Sequence, residues 1–185
     1  MCIRDRIFSG GDPLSLNNRR LFAWFDAIES LPQIRTIRLH TRLPIVIPER
    51  LDDQLVARLA NSRCHFVMVV HVNHANEIDA HTAHYLRLLK QHGITALNQT
   101  VFLKGVNDDA DTLSQLSWQL FEADITPYYL HLLDKVAGSA HFFVDERSAV
   151  ATYWQLLEDL PGYLVPKLVQ EIAGKPFKTP VNIHR

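Results

Sequence analysis

Four short stretches of this chain carry side chains whose types and spacing suit chemistry. A Gly-Gly-Asp-Pro turn at residues 10–13 joins an apolar run to a helix-like segment. Gly10 and Gly11 permit positive φ and close approach of backbone to a ligand, Pro13 stiffens the exit, and Asp12 offers a carboxylate to a ligand ammonium. The pattern matches neither G-x-x-x-x-G-K-[ST] nor G-x-G-x-x-G, so nucleotide phosphates are not implied, and a plain turn is the simpler reading. In "HVNHANEID", His71, His74 and Glu77 stand three residues apart, a spacing that presents ligands to a metal if the segment is helical. The competing reading is a polar loop whose histidines satisfy one another, in a chain with 10 histidines. Asp134 directly follows an apolar run, where a carboxylate serves either as a helix cap or as a binder of a cationic substrate group. Lys175 and Lys178 lie in a Gly/Pro-rich terminal segment. Such lysines are usually solvated; one becomes chemical only where its pKa falls far enough to form the Schiff base that pyridoxal phosphate requires.

Elements that could position these groups follow a clear rhythm. Short β-rich runs at 34–41, 64–72, 94–103, 125–133 and 162–169 alternate with helical segments near 17–31, 49–61, 78–92, 109–123 and 145–159. A further strand begins by about Ile7. Leu113, Leu116 and Leu120 share one helical face. Strands alternating with helices of this length predict βαβ units and a parallel sheet. The polar residues then fall at strand C-terminal ends: Gly10 to Asp12, His40 to Arg42, His71 to Glu77, Asp134 and Glu171, with Asn98 and Gln99 partway along a strand. Parallel α/β architectures bind ligands at that edge.

Composition excludes several classes. The chain has 185 residues, 47% hydrophobic and 21% charged, and a net charge of −1, which predicts one folded domain over 1–185 and gives no footprint for nucleic acid or a membrane surface. No stretch reaches the roughly 18 apolar residues of a membrane span. The two cysteines, Cys2 and Cys64, are too far apart to suggest a metal pair or a disulfide framework, as expected of a reduced cytoplasmic protein.

Seven segments, in order, resemble the lysine 2,3-aminomutase family of radical S-adenosylmethionine enzymes: "FSGGDPL", "HTRLPIVIPERL", "HVNHANEI", "LNQTVFLKGVND", "PYYLHLLDKVAGSAHF", "GYLVPKLVQEI" and "GKPFKTPV". The resemblance is greatest to the branch that makes β-lysine for elongation factor P. It implies an α/β fold, a partial (β/α) TIM-like barrel. It also implies that Gly10, Gly11 and Asp12, with Arg42, His71 and Gln99, bind S-adenosylmethionine. Lys178 matches the lysine that carries pyridoxal phosphate, within a cofactor segment spanning 161–185. Asp134 and Glu171 match acids that hold the ε-ammonium of L-lysine, although free-lysine mutases carry aspartate at the second position. The implied reaction converts L-lysine to (R)-β-lysine by radical 2,3-amino migration, and a separate ligase then attaches the product to elongation factor P.

The family holds a [4Fe–4S] cluster on a Cys-x3-Cys-x2-Cys motif upstream of the glycine turn, and this sequence contains no such motif. We therefore expect a C-terminal fragment lacking the first barrel strand and the cluster-binding loop, with residues 1–6 a non-native lead-in, no metal ligands of its own and no radical turnover by itself. The alternatives are a free-lysine 2,3-aminomutase, a metal-dependent hydrolase built on His71, His74 and Glu77 with Asp134, and an inactive remnant.

Overall fold

The computed structural model describes residues 3–134 and 136–183. Strands β1 (Asp5–Phe8), β2 (Thr36–Thr41), β3 (His65–Val70), β4 (Thr95–Val101), β5 (Thr126–His131), β6 (Lys167–Gln170) and β7 (Thr179–Pro180) are ordered in the sheet as they are in the chain. Between them lie helices α1 (Asn18–Glu29), α2 (Leu43–Val46), α3 (Asp53–Ala60), α4 (Ala80–Gln91), α5 (Ala110–Glu122) and α6 (Glu146–Asp159). The β1–β2, β2–β3 and β5–β6 pairs are parallel, and β7 returns antiparallel to β6. The alternating strands and helices, and the parallel pairing, are those expected from the hydrophobic rhythm.

Aspartate and asparagine start most of the long helices in the same way. Asn17, Asp52, Asp79 and Asp145 each accept the N–H three residues on, at 2.7–3.0 Å. This satisfies a donor that the helix cannot, and replacing such a cap by alanine costs about 1 kcal/mol. The 162–169 segment departs from expectation. Gly162–Leu164 form a 3-10 turn and only Lys167–Gln170 pair as strand, because Pro161 and Pro166 bracket the turn and a proline cannot donate to a ladder.

The chain divides into two compact units. The first comprises residues 1–71, 78–97 and 123–125. In it β2 alternates buried and half-buried positions, as a pleated strand must. Phe25 of α1, fully buried, meets Phe66 of β3 edge-on at 4.8 Å. The second comprises residues 72–77, 98–122 and 126–185. Its core joins Leu113 of α5, Leu130 of β5, Leu156 of α6, Leu168 of β6 and Val181. The indole N–H of Trp154 donates to the Ile183 carbonyl at 3.0 Å, which ties the segment after β7 to α6. Among the described residues no helix is long and apolar enough to cross a membrane.

Candidate functional site

Because β1, β2 and β3 are parallel neighbours, their C-terminal ends share one edge of the first unit. Gly10, Gly11 and Asp12 follow β1, His40 to Arg42 close β2, and His71 follows β3. Gly10 and Gly11 have φ of +89° and +146°, the region where a side chain is strained. A Cβ at either would meet nothing within 4 Å. The glycines thus answer a backbone requirement, and open space remains beside them.

Asp12 is committed to holding this turn. Its Oδ1 accepts from the Leu14 N–H at 3.0 Å and the Thr41 hydroxyl at 2.6 Å. Its Oδ2 accepts from the backbone N–H groups of Arg42 at 2.7 Å and Leu43 at 3.2 Å. The carboxylate that the sequence offered to a ligand ammonium therefore ties the β1 turn to the end of β2. Arg42 is itself exposed. The His40 and His71 rings stand edge-on, 6.2 Å between centroids.

In the second unit, the loop 72–77 is built of polar residues that satisfy one another. Glu77 Oε1 accepts from the backbone N–H groups of Asn73 at 2.7 Å and His74 at 3.0 Å, and the His74 Nδ1 accepts from the Asn76 N–H at 3.1 Å. Only Ala75–Glu77 turn, as a 3-10 helix, so this stretch lacks the helical face that a His71, His74 and Glu77 metal site needs. Asn98, buried in β4, accepts from the Val72 N–H at 2.9 Å and donates to the Val72 carbonyl and the Thr100 hydroxyl. Asn107, fully buried, donates to the carbonyls of Asn73 and Val101. Next to Asn98 on β4, Gln99 differs: its Oε1 is buried and has no hydrogen-bond partner among the described residues. Such an atom costs about 1–3 kcal/mol unless a ligand or water meets it.

The last cluster gathers where β5 and β6 end. The Lys178 ammonium pairs with the Glu171 carboxylate across the turn between β6 and β7. Hydrogen bonding and attraction from Lys178 hold the Glu171 carboxyl below its ordinary range, assisted by His131. Asp134 lies on the loop after β5, beside a cavity of about 540 Å³ whose walls include Leu133, Val136 and Phe143. Although exposed, its carboxyl is crowded enough that burial, and then repulsion from Glu171, push it up, against the attraction of Lys178. No described residue donates a hydrogen bond to it. Lys178 also lines a second cavity, of about 440 Å³, with Tyr129, Tyr153, Lys167 and Val169. Thr179, next to Lys178, has a buried hydroxyl without a partner among the described residues. Neither His131 nor Thr179 stood out in the sequence; a titratable residue closing an apolar strand and a hydroxyl flanking the candidate lysine were the available signals. Lys175, the competing lysine, is exposed, and its N–H donates to the Ile172 carbonyl.

These residues accommodate some cofactors and not others. A lysine at a cavity wall, an orphaned threonine hydroxyl and a pair of acids suit pyridoxal phosphate bound with a cationic amino acid. The open glycine turn of the first unit suits a small polar ligand such as S-adenosylmethionine, and in the second unit the orphaned Gln99 oxygen is open to a donor. An iron–sulfur cluster does not fit the thiols present: the chain has two cysteines, Cys2 lies outside the described residues, and Cys64 is buried with its thiol pushed up by that burial. Among the described residues no group of three or more His, Cys, Asp or Glu side chains could hold a metal ion.

Comparison of the fold with solved structures finds SuiB of Streptococcus suis bound to S-adenosylmethionine, with a TM-score of 0.63 and 15% identity over 92% of this chain and 40% of that one. It also finds a radical SAM methyltransferase from Sphaerobacter thermophilus, with a TM-score of 0.60 and 14% identity over 89% of this chain and 50% of that one. The fold is that of the radical S-adenosylmethionine enzymes, a partial (β/α) barrel architecture. In sequence the chain is similar to the L-lysine 2,3-aminomutases. It is 50% identical to L-lysine 2,3-aminomutase of Haemophilus influenzae over 177 residues, 96% of this chain and 52% of that protein. It is 47% identical to the Escherichia coli K12 protein over 97% of this chain and 52% of that one, and 33% identical to the Clostridium subterminale protein over 97% and 43%. The chain thus spans about half the length of the curated relatives it matches. No family model matches the sequence.

Proposed function

We propose that this chain forms the substrate-binding and cofactor-binding part of an aminomutase that converts L-lysine to (R)-β-lysine. The observation that carries this reading is the grouping of Lys178 with two acids, Glu171 in direct contact and Asp134 close enough to feel both. A lysine with a carboxylate pair is suited to an amino acid that bears an amino group at each end. One end is taken up near Lys178, and the other is neutralised by the acids. Without a cation between them the two carboxylates repel, so an apolar amino acid is disfavoured. When bound, S-adenosylmethionine supplies a carbon radical, and pyridoxal phosphate supplies the attachment through which nitrogen migrates. The chain's own part is orientation and charge pairing. Gly10 and Gly11 present open backbone to the first cofactor while Asp12 holds their turn. Arg42 and His71 serve the same ligand. Lys178, within the segment 161–185, attaches the second. The cluster that such radical chemistry needs has no ligand set among this chain's two cysteines.

The two tiers of relatives, at 43–50% and 30–35% identity, support assignment to the branch represented by the first tier. On the motif resemblance we assign the product to modification of elongation factor P, in the cytoplasm, with a ligase as the next enzyme. A mutase acting for the free lysine pool is the second reading, favoured only if Glu171 proves interchangeable with the aspartate of that branch.

Borohydride reduction of the protein loaded with pyridoxal phosphate, followed by peptide mapping, tests the assignment. The label is expected on Lys178, lost in Lys178→Ala and kept in Lys175→Ala. Equal loss in both variants would overturn the choice of lysine.

A further inference from the structure

The near-neutral net charge of −1 hides an uneven distribution. Residues 105–166 hold ten Asp and Glu against two basic residues, Lys135 and Arg147, whereas the rest of the chain holds ten acids against 17 Lys and Arg. Asymmetry of this size within one chain points to a charged partner.

The acidic stretch also carries a group of exposed aromatic residues in the second unit. Helix α5 turns Leu113, Leu116 and Leu120 into the core and leaves Trp118 41% and Phe121 47% exposed. The rings of Trp118 and Phe121 meet edge-on, 6.4 Å between centroids, and Phe121 packs on Tyr163, 62% exposed, at 5.6 Å. Single exposed hydrophobics are ordinary, but three large rings in contact form a continuous apolar patch of the kind that marks an interaction surface. Acids accompany it. Glu122 lies one helical turn beyond Trp118 and Asp111 two turns before it, while Glu158 and Asp159 end α6 five and four residues ahead of Tyr163. All four are exposed, and α5 contains no Lys or Arg. None of these residues lines the cavities beside Asp134 and Lys178.

We propose that the outer face of α5, with the Gly162–Leu164 turn, is a docking surface for a basic segment of another protein, which sets apolar side chains on the rings and Lys or Arg against the acids. The sign of the charge selects among occupants. Nucleic acid and anionic membranes are repelled by it. A symmetric pairing of two copies through this face would set acid against acid. A cationic segment is attracted twice over, because the face of an exposed indole also holds a guanidinium or ammonium group. Trp and Tyr are, besides, the side chains that most often anchor an interface.

The test is fluorescence anisotropy with a labelled amphipathic helical peptide, leucines on one face and lysines and arginines on the other, and with a counterpart in which glutamates replace the cations. The basic peptide should bind at least roughly tenfold more tightly than the acidic one, and more weakly as salt is raised. Trp118→Gln and Tyr163→Gln should each weaken its binding about fivefold or more. The double variant Asp111→Asn, Glu122→Gln, which keeps the rings, should flatten the salt dependence. Trp24→Gln, which removes an exposed tryptophan from α1, should change nothing. Equal binding of the two peptides, unchanged binding in Trp118→Gln, or equal loss in Trp24→Gln and Trp118→Gln overturns the proposal. Sedimentation of the protein alone decides the remaining alternative: self-association that Trp118→Gln abolishes would make a second copy the occupant and overturn the basic partner.

Discussion

The Asp12 carboxylate, beyond β1, accepts four hydrogen bonds, from Leu14, Thr41, Arg42 and Leu43, whereas the Asp134 carboxylate, beyond β5, accepts none from the described residues. Both are aspartates just past a strand, and the sequence gives each the same two readings, scaffold or ligand for a cation. The difference teaches that a carboxylate's existing partners decide its work. Asp12 spends both oxygens on joining one loop to the next. Asp134 is exposed, and burial of its carboxyl and repulsion from Glu171 push it up, so its oxygens are open to a ligand.

The largest effect that can break this contrast comes from Asp12→Ala. Removing the carboxylate strands the backbone N–H groups of Leu14 and Arg42 and the Thr41 hydroxyl proton, leaving Leu43 only its bond to Thr41, and we expect a loss of about 2–4 kcal/mol in urea unfolding. A loss below about 0.5 kcal/mol would show that the turn does not depend on it. Asp134→Asn should behave oppositely. Because the folded protein raises this carboxyl, its ionised form opposes folding. That penalty is present at neutral pH and is relieved as the pH falls through the raised value. The variant should therefore be as stable as the wild type or slightly more so at neutral pH, within about 0.5 kcal/mol. The gap should close in acid. Glu171 has the reverse sign: its lowered carboxyl contributes stability above the ordinary carboxylate range and loses it as the pH falls through the lowered value.

The strand and helix order was legible in the sequence because the period of each segment is a local property. So was the placement of Gly10, His71, Asp134 and Glu171 near strand ends. The use of Asp12 was not, since Thr41 and Leu43 lie about thirty residues away along the chain. Glu77 was misleading for a similar reason: a Glu at ligand spacing is also a residue that can cap its own loop, and here it accepts from Asn73 and His74. The short helix α2 escaped notice because it consists of only "LPIV", whose proline at a first-turn position reads equally as a loop. The Lys178–Glu171 contact depends on the turn that brings β7 back along β6, which no periodicity announces.

The reading of the acids at the lysine site is tested most directly by equilibrium binding of L-lysine and of norleucine, which lacks the ε-ammonium, to the protein loaded with pyridoxal phosphate. Lysine should bind roughly tenfold more tightly or better, and the double variant Asp134→Asn, Glu171→Gln should erase the preference, since the carboxylates would no longer demand a cation. Equal binding of the two amino acids by the wild-type protein would contradict the account.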